Sequence, residues 1–280
     1  MRVRLHARCV DCGRDTGVEA DRPVVLASVV KVLLVLEFAR QAARGQLDPA
    51  ERALVRAPER LGGTGTAGCA DDVEMSLRDL ARFALSVSDN SAADVLFRRV
   101  GADTVQSLAR ELGLIRTRVL GGPRLLLESM LEDVGAASAE EFAASLPALP
   151  AERFRALRIL DPARTNASTA REMTRLLALV WTDRAGPPRA CARLRSLMTE
   201  QVSRSRLEAG FPEQVTVAAK SGTLPGVRNE IGVASYPDGG RYAVAVCTET
   251  ESLTTRRPDL DAAMGAAAHT AVSRLRGCCA

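Results

Sequence analysis

Apolar positions along the chain change their period twice. Residues 2–10 and 17–26 have strand-type content on either side of the turn-rich stretch Asp11-Cys12-Gly13-Arg14-Asp15-Thr16-Gly17, which predicts a β-hairpin. From Ser28 to Gln46 the pattern turns helical and is apolar on most faces, so this helix is expected at the centre of the fold. Gly45 and Asp48-Pro49 end it. Residues 61–70 read as a Gly/Thr-rich loop, and Ser76 with Asp79 three residues on is close to a capping box. Helical patterns continue through 91–113 and 125–134, and residues 138–160 predict helix broken at Pro147 and Pro150. Further helices are expected from Ser168 to about Thr182 and from Pro188 to about Val202. From Val215 three strands follow, the last two joined by a tight turn at Pro237-Asp238-Gly239-Gly240, and residues 258–276 close as a helix.

Strands therefore lie at both ends of the sequence with helices between them. The simplest assembly is α/β (α+β): an antiparallel sheet flanked by helices, plus an all-helical lobe. Residues 1–26 and 213–280 would build the sheet lobe and residues 27–212 the helical lobe, with the functional cleft between the two.

Composition narrows the function. The 280 residues are 46% hydrophobic and 26% charged, ordinary for a globular protein with a sizeable core. The net charge of +4 comes without a basic run, so no nucleic-acid partner is expected. No apolar run is long enough to span a membrane, and the N-terminus has no apolar leader. As written, the chain reads as cytoplasmic, and as secreted only if a leader has been removed.

The seven cysteines show no framework spacing. Cys9-Val10-Asp11-Cys12 lacks a second ligand pair, so neither a metal nor another cofactor is expected. His6 and His269 are the only histidines and sit near the chain ends, which disfavours a Ser-His-Asp triad. Of 38 positive residues only Lys31 and Lys220 are lysine. Arginine replaces lysine on a surface but not where a proton must leave, so both lysines are candidates for chemistry.

Three short motifs follow in order. Ser28-Val29-Val30-Lys31 opens the buried helix, Ser88-Asp89-Asn90 lies in a loop between helices, and Lys220-Ser221-Gly222-Thr223 ends the first late strand. Each is weak alone, but together they specify nucleophilic chemistry. A serine at a helix N-terminus has an exposed Oγ near unpaired N–H groups. Lys31, at i+3, is expected to reach that Oγ with a desolvated, neutral amine that takes its proton. Ser88 would relay a proton to the leaving group, Asn90 hold a substrate carbonyl, and Asp89 face inward to pin the loop. Lys220 would add positive charge near Ser88. Ser221 and Thr223 would bind a substrate carboxylate, Gly222 would let the backbone lie close to the substrate, and the Thr223 N–H would be the second oxyanion donor.

With these motifs, and with the flanking text Ser88-Asp-Asn-Ser-Ala-Ala-Asp, the chain resembles a class A β-lactamase of the wider superfamily of penicillin-binding proteins and DD-peptidases. The resemblance runs from about Arg4 to the last helix and implies a β-lactamase/transpeptidase-like fold and acylation of Ser28. One departure matters: the family's E-x-x-L-N motif, whose glutamate activates the deacylating water, is only half-matched by Glu128-x-x-Leu131-Glu132. Glu128 is the candidate general base. Arg228 lies near where the family places a substrate-carboxylate arginine. The implied function is a serine hydrolase acting on a β-lactam or a related small amide or ester. The alternatives are a transacylase, esterase or DD-peptidase-like enzyme of small-molecule metabolism, or a non-hydrolysing acyl-binding protein.

Overall fold

The computed structural model describes residues 1–145, 148–254 and 256–277. Five strands form one antiparallel sheet in the order β2-β1-β9-β8-β7: β1 (Arg2–Cys9), β2 (Asp15–Val18), β7 (Thr216–Leu224), β8 (Val227–Ser235) and β9 (Arg241–Glu249). The two ends of the sequence meet here, with Arg2 opposite Glu249 and Cys9 opposite Tyr242. The architecture is the expected α/β (α+β) one, an antiparallel sheet flanked by helices beside a helical body.

The near-continuous apolar run of β9 follows from burial of both sheet faces. Tyr242, Val244 and Val246 pack with Leu260, Met264 and Ala268 of α10 (Pro258–Ser273). Ala243 and Ala245 point the other way, into a core shared with Met173 and Leu177 of α8 (Ala170–Trp181). That core continues into α1 (Lys31–Ala43), in which every residue from Lys31 to Arg40 is buried. The helices α2 (Leu77–Ser86), α3 (Asn90–Val100), α4 (Ala102–Glu111) and α9 (Pro188–Thr199) pack around α1. Ser76 caps α2 by accepting from the Asp79 N–H at 3.3 Å, a contact that stabilises such a helix by about 1 kcal/mol. Among the described residues no helix is long and apolar enough to cross a membrane.

Two expectations change and two gain detail. The second arm of the expected hairpin leaves the sheet after Val18. Glu19 takes a φ of 49°, the Arg22 N–H closes a turn on Glu19 O, and the chain re-emerges as β3 (Pro23–Val25), paired with β6 (Ala167–Thr169). The 91–113 pattern divides at Gly101, whose φ of 87° no helix accommodates. Residues 138–160 form α6 (Ala139–Ser145), α7 (Ala151–Arg155) and a 3-10 turn at Arg158–Leu160, while Pro147 lies outside the described residues. A hairpin of β4 (Arg52–Val55) and β5 (Val73–Ser76) flanks the loop that was read as irregular.

Candidate active site

Ser28 stands in a 3-10 turn, Ala27–Val30, that leads into α1. Within residues 24–40 it alone is not fully buried, so the chain exposes one hydroxyl from an otherwise closed segment. Its backbone is fixed from two sides. The Leu26 N–H donates to Asn166 O at 2.9 Å, and the Asn229 side-chain amide donates to Val25 O at 2.6 Å. Ala27 is held at a φ of 48°, a left-handed conformation rarely adopted by residues with a Cβ. Ser88 is strained in the same sense, at 61°. Such strain persists only where the surroundings over-determine it, and it clusters at functional sites.

The loop after α2 is pinned by Asp89, which is fully buried. One carboxylate oxygen caps α3 by accepting from Ala92 N at 3.0 Å, and the other accepts from Thr66 N at 2.6 Å. This arrangement turns Ser88 and Asn90 toward Lys31. The Lys31 Nζ donates to Ser88 O at 2.7 Å, Asn90 Oδ1 at 2.9 Å and Asp89 O at 3.2 Å, and lies 3.4 Å from Ser88 Oγ. Among the described residues none of its hydrogen bonds runs to Ser28 Oγ, so the direct contact expected from the i+3 spacing is replaced by contacts with the Ser88–Asn90 loop. Burial holds the Lys31 amine well below its ordinary pKa, the charge of Lys220 adds to the effect, and Asp89 opposes it.

Strand β7 forms the opposite wall. A Cβ on Gly222 would stand 2.6 Å from Leu26 O and 3.2 Å from Ser28 N, so only glycine lets the strand approach the serine this closely. Lys220 is fully buried and its Nζ donates to Ser221 O at 2.8 Å. Burial lowers its pKa to about 7, with the Arg206 charge adding to the shift and Glu230 opposing it. Glu230 lies opposite Ser221 on β8 and accepts from Leu207 N at 2.6 Å and the Gln201 amide at 2.9 Å. Burial raises its carboxyl pKa against those bonds and the neighbouring charges. Gln201 Oε1 in turn accepts from Ser221 N.

Ser28, Lys31, Asn90 and Thr223 line one cavity of about 160 Å³, together with Thr165 and Asn166. Ser88, Lys220, Ser221 and Gly222 are not among the described residues that line it: Ser88 lies beside Lys31, and the other three precede Thr223 on β7. Two candidates lie elsewhere. Glu128 is exposed on α5 (Pro123–Val134), turned away from the cavity, because the residues of α5 that face it are Pro123, Leu126, Leu127 and Met130. Among the described residues that line this cavity there is no carboxylate. Arg228 donates through two nitrogens to Asp261, at 2.9 and 2.6 Å, and lines a separate depression with Arg256 and Arg257.

Two contributors were missed in the sequence. Arg206 is buried and donates to Thr223 Oγ1 at 2.7 Å, to Asn229 O at 2.7 Å and to Asp261 at 2.7 Å. Asp261 thus balances two guanidiniums. Burial alone would raise its carboxyl pKa, yet the two cations bring it below the ordinary value. Arg206 brings a guanidinium beside Thr223. Nothing in the sequence separates Arg206 from the other arginines. Asn166 closes the cavity floor: its Oδ1 accepts from Leu120 N at 2.7 Å and its Nδ2 donates to Gly121 O at 2.9 Å.

Comparison with known proteins shows the family and the fold. The sequence pattern of the Beta-lactamase enzyme family matches residues 2–275. The beta-lactamase regulatory protein BlaB of Streptomyces cacaoi is 33% identical, covering 94% of this chain and 89% of its own length. The class A beta-lactamase of Mycobacterium abscessus superposes with a TM-score of 0.78 at 21% identity, covering 99% of this chain and 94% of that one. PBP-A, solved also as a mutant in an acyl-enzyme complex with penicillin G, superposes with a TM-score of 0.75 at 21% identity, covering 98% and 91%.

Proposed function

The chain belongs to the beta-lactamase enzyme family, and from that premise we propose that it is an acyl-serine protein that captures a β-lactam or a related small amide or ester on Ser28 and releases it slowly. One observation carries the reading. A half-buried serine, a desolvated lysine and an asparagine amide share a cavity with no carboxylate among the described residues that line it.

The steps follow from the residues. Lys31 in its neutral form has two N–H groups for the three acceptors around it, so it keeps Ser88 O and Asn90 Oδ1, gives up the longest contact, to Asp89 O, and turns a lone pair to a proton. Ser28 Oγ attacks the donor carbonyl and gives up its proton to Lys31. The N–H groups of Ser28 and Thr223 receive the developing oxyanion, where β7 and the serine turn lie closest. The leaving group takes its proton from Lys31 through Ser88. A donor carboxylate is met by Thr223 and Ser221, with the Arg206 guanidinium on Thr223 Oγ1. Lys220 adds positive charge while protonated.

Release of the acyl group needs an activated water. General-base catalysis contributes roughly 10²–10⁴-fold to such a step, and a cavity without a carboxylate forgoes it. The penicillin G complex of a PBP-A mutant supports capture, and the regulatory role in the name of the Streptomyces relative supports a lasting adduct over rapid hydrolysis.

The test is intact-mass measurement after mixing with penicillin G. A stoichiometric adduct that outlasts many turnovers of an ordinary β-lactamase is expected, absent in Ser28→Ala and unchanged in lifetime in Glu128→Gln. Rapid release by the wild type would overturn slow deacylation. Absence of any adduct would overturn the assignment of the nucleophile.

A further inference from the structure

Strand β7 is an edge of the sheet, so every second N–H along it points away from β8 and needs a partner of its own. Residues two apart point the same way, which puts the N–H groups of Ser221 and Thr223 on one side. The Thr223 N–H is the oxyanion donor of the reading above. The Ser221 N–H donates to Oε1 of Gln201, a buried residue of the segment after α9. The partners of this amide leave it one orientation. A backbone N–H only donates, so it takes the carbonyl oxygen. Ser203 O and Glu230 Oε1, each at 2.9 Å, accept, so they take the nitrogen. The second Glu230 oxygen accepts from Leu207 N at 2.6 Å. One buried carboxylate on β8 thus ties down both ends of residues 201–207, the segment that brings Arg206 to Thr223 Oγ1. The charges that face Glu230 are Lys220 of β7 and Arg206, and Lys220 in turn acts on Lys31 of α1.

We propose that Gln201 is a positioning residue for acylation: its amide, oriented by Glu230, holds the edge of β7 where the Thr223 N–H meets the developing oxyanion. The inference rests on the acyl-serine reading above. Gly222, which follows the anchored Ser221 N–H and precedes Thr223, makes the close approach to the Ser28 turn, so a shift at Ser221 passes directly to the oxyanion pocket. The arrangement is directional. Ser221 donates to Gln201, and Gln201 donates to Glu230. The middle place needs a side chain of this reach that accepts at one atom and donates at the other. Asparagine is one methylene short, and a glutamate there would do both only while it shared a proton with Glu230.

The experiment mixes the full chain with penicillin G, quenches at intervals, and counts acylated Ser28 by intact mass with peptide mapping. Each variant's rate is divided by the wild-type rate at the same pH. In Gln201→Glu the two carboxyls share a proton at about pH 5.5, so the ratio should lie within about threefold of one. As pH rises the proton leaves and the carboxylates repel, and by about pH 8.5 the ratio should fall about tenfold or more. An added charge acting only on Lys220 predicts the opposite, because it would keep Lys220 protonated and raise the ratio with pH. A structural defect alone predicts a flat ratio. Gln201→Glu combined with Glu230→Gln swaps the pair: the carboxylate at 201 accepts from Ser221 N and from the amide at 230, whose oxygen accepts from Leu207 N. This double variant needs no shared proton and should acylate within about threefold of wild type at about pH 8.5. It is read against wild type directly, so it decides the matter if Gln201→Glu alone fails to fold. A flat or rising ratio, or a swap that leaves acylation slowed, would overturn the positioning role while a labelled wild-type Ser28 keeps the acyl-serine reading standing. No label at Ser28 of the wild type would overturn both.

Discussion

Replacing Gly222 with alanine tests the closest approach in the site. The added Cβ would sit 2.6 Å from Leu26 O, 3.1 Å from a Val29 methyl and 3.2 Å from Ser28 N. The nearest atom is backbone, held in a turn that Asn166 and Asn229 brace, so no side chain can swing aside. Strand and turn must part by roughly half an ångström to reach ordinary contact. Overpacking of this kind costs about 1–3 kcal/mol of stability. It also widens the gap between the two N–H groups that receive the oxyanion. A misplacement of about 1 Å costs on the order of 10²-fold in rate, so acylation should fall about tenfold or more. Gly68→Ala is the control, since its Cβ would meet nothing within 4 Å and its φ is not left-handed. Acylation is followed by stopped flow with a chromogenic cephalosporin, and folding by thermal melts. A folded Gly222→Ala protein that acylates at the wild-type rate would refute the claim that β7 and the Ser28 turn form one oxyanion pocket.

Three further expectations follow. Lys220 has a pKa of about 7, so capture of carboxylate-bearing donors should fall as pH rises through that value; Glu230→Gln removes a charge that raises this pKa and should move the midpoint to lower pH, and a shift upward would contradict the coupling. His6 is buried and its pKa is lowered to about 4 by burial and the Arg171 charge, while the unfolded chain titrates near 6.5. The unfolded state therefore takes the proton first, so this contribution is complete above about pH 6.5 and is lost as pH falls toward 4, roughly 2 kcal/mol after allowing for partial solvation; denaturant melts should show that loss in wild type and not in His6→Gln. Asp89→Ala removes the acceptor of both Ala92 N and Thr66 N and should cost about 2–4 kcal/mol by the same melts, whereas a loss below about 0.5 kcal/mol would mean the loop is held elsewhere.

The candidate residues that share the cavity were legible where their spacing is local. Ser28 and Lys31 share one turn, and Lys220 to Thr223 are consecutive on a strand, so periodicity alone sets them side by side. What it did not carry are the choices made by tertiary packing. Glu128 sits in a good half-match to a motif, but the helix face is chosen by Leu126, Leu127 and Met130, whose burial against the cavity turns the carboxylate outward. Arg228 is adjacent to the strand end, yet strand alternation and Asp261 claim it, and the charge beside Thr223 comes from Arg206 on a segment with no motif. The pairing of Pro23–Val25 with Ala167–Thr169 joins segments far apart in the chain, and no local pattern announces it. The strain at Ala27 and Ser88 is likewise invisible, because neither residue type favours a positive φ.

The pairing of Arg2 with Glu249 has a consequence for how reactivity arises during synthesis. The nucleophile leaves the ribosome early, whereas the strand that walls it emerges only after most of the polypeptide has been made. Until that distant segment returns, Lys31 is hydrated and titrates as any lysine does, and Ser28 is an unremarkable alcohol. Antiparallel contacts between such remote segments close slowly, since the loop entropy is spent before any contact rewards it. On the acyl-serine reading proposed above, the site is thus completed only when the strand bearing Gly222 reaches the turn that holds Ser28.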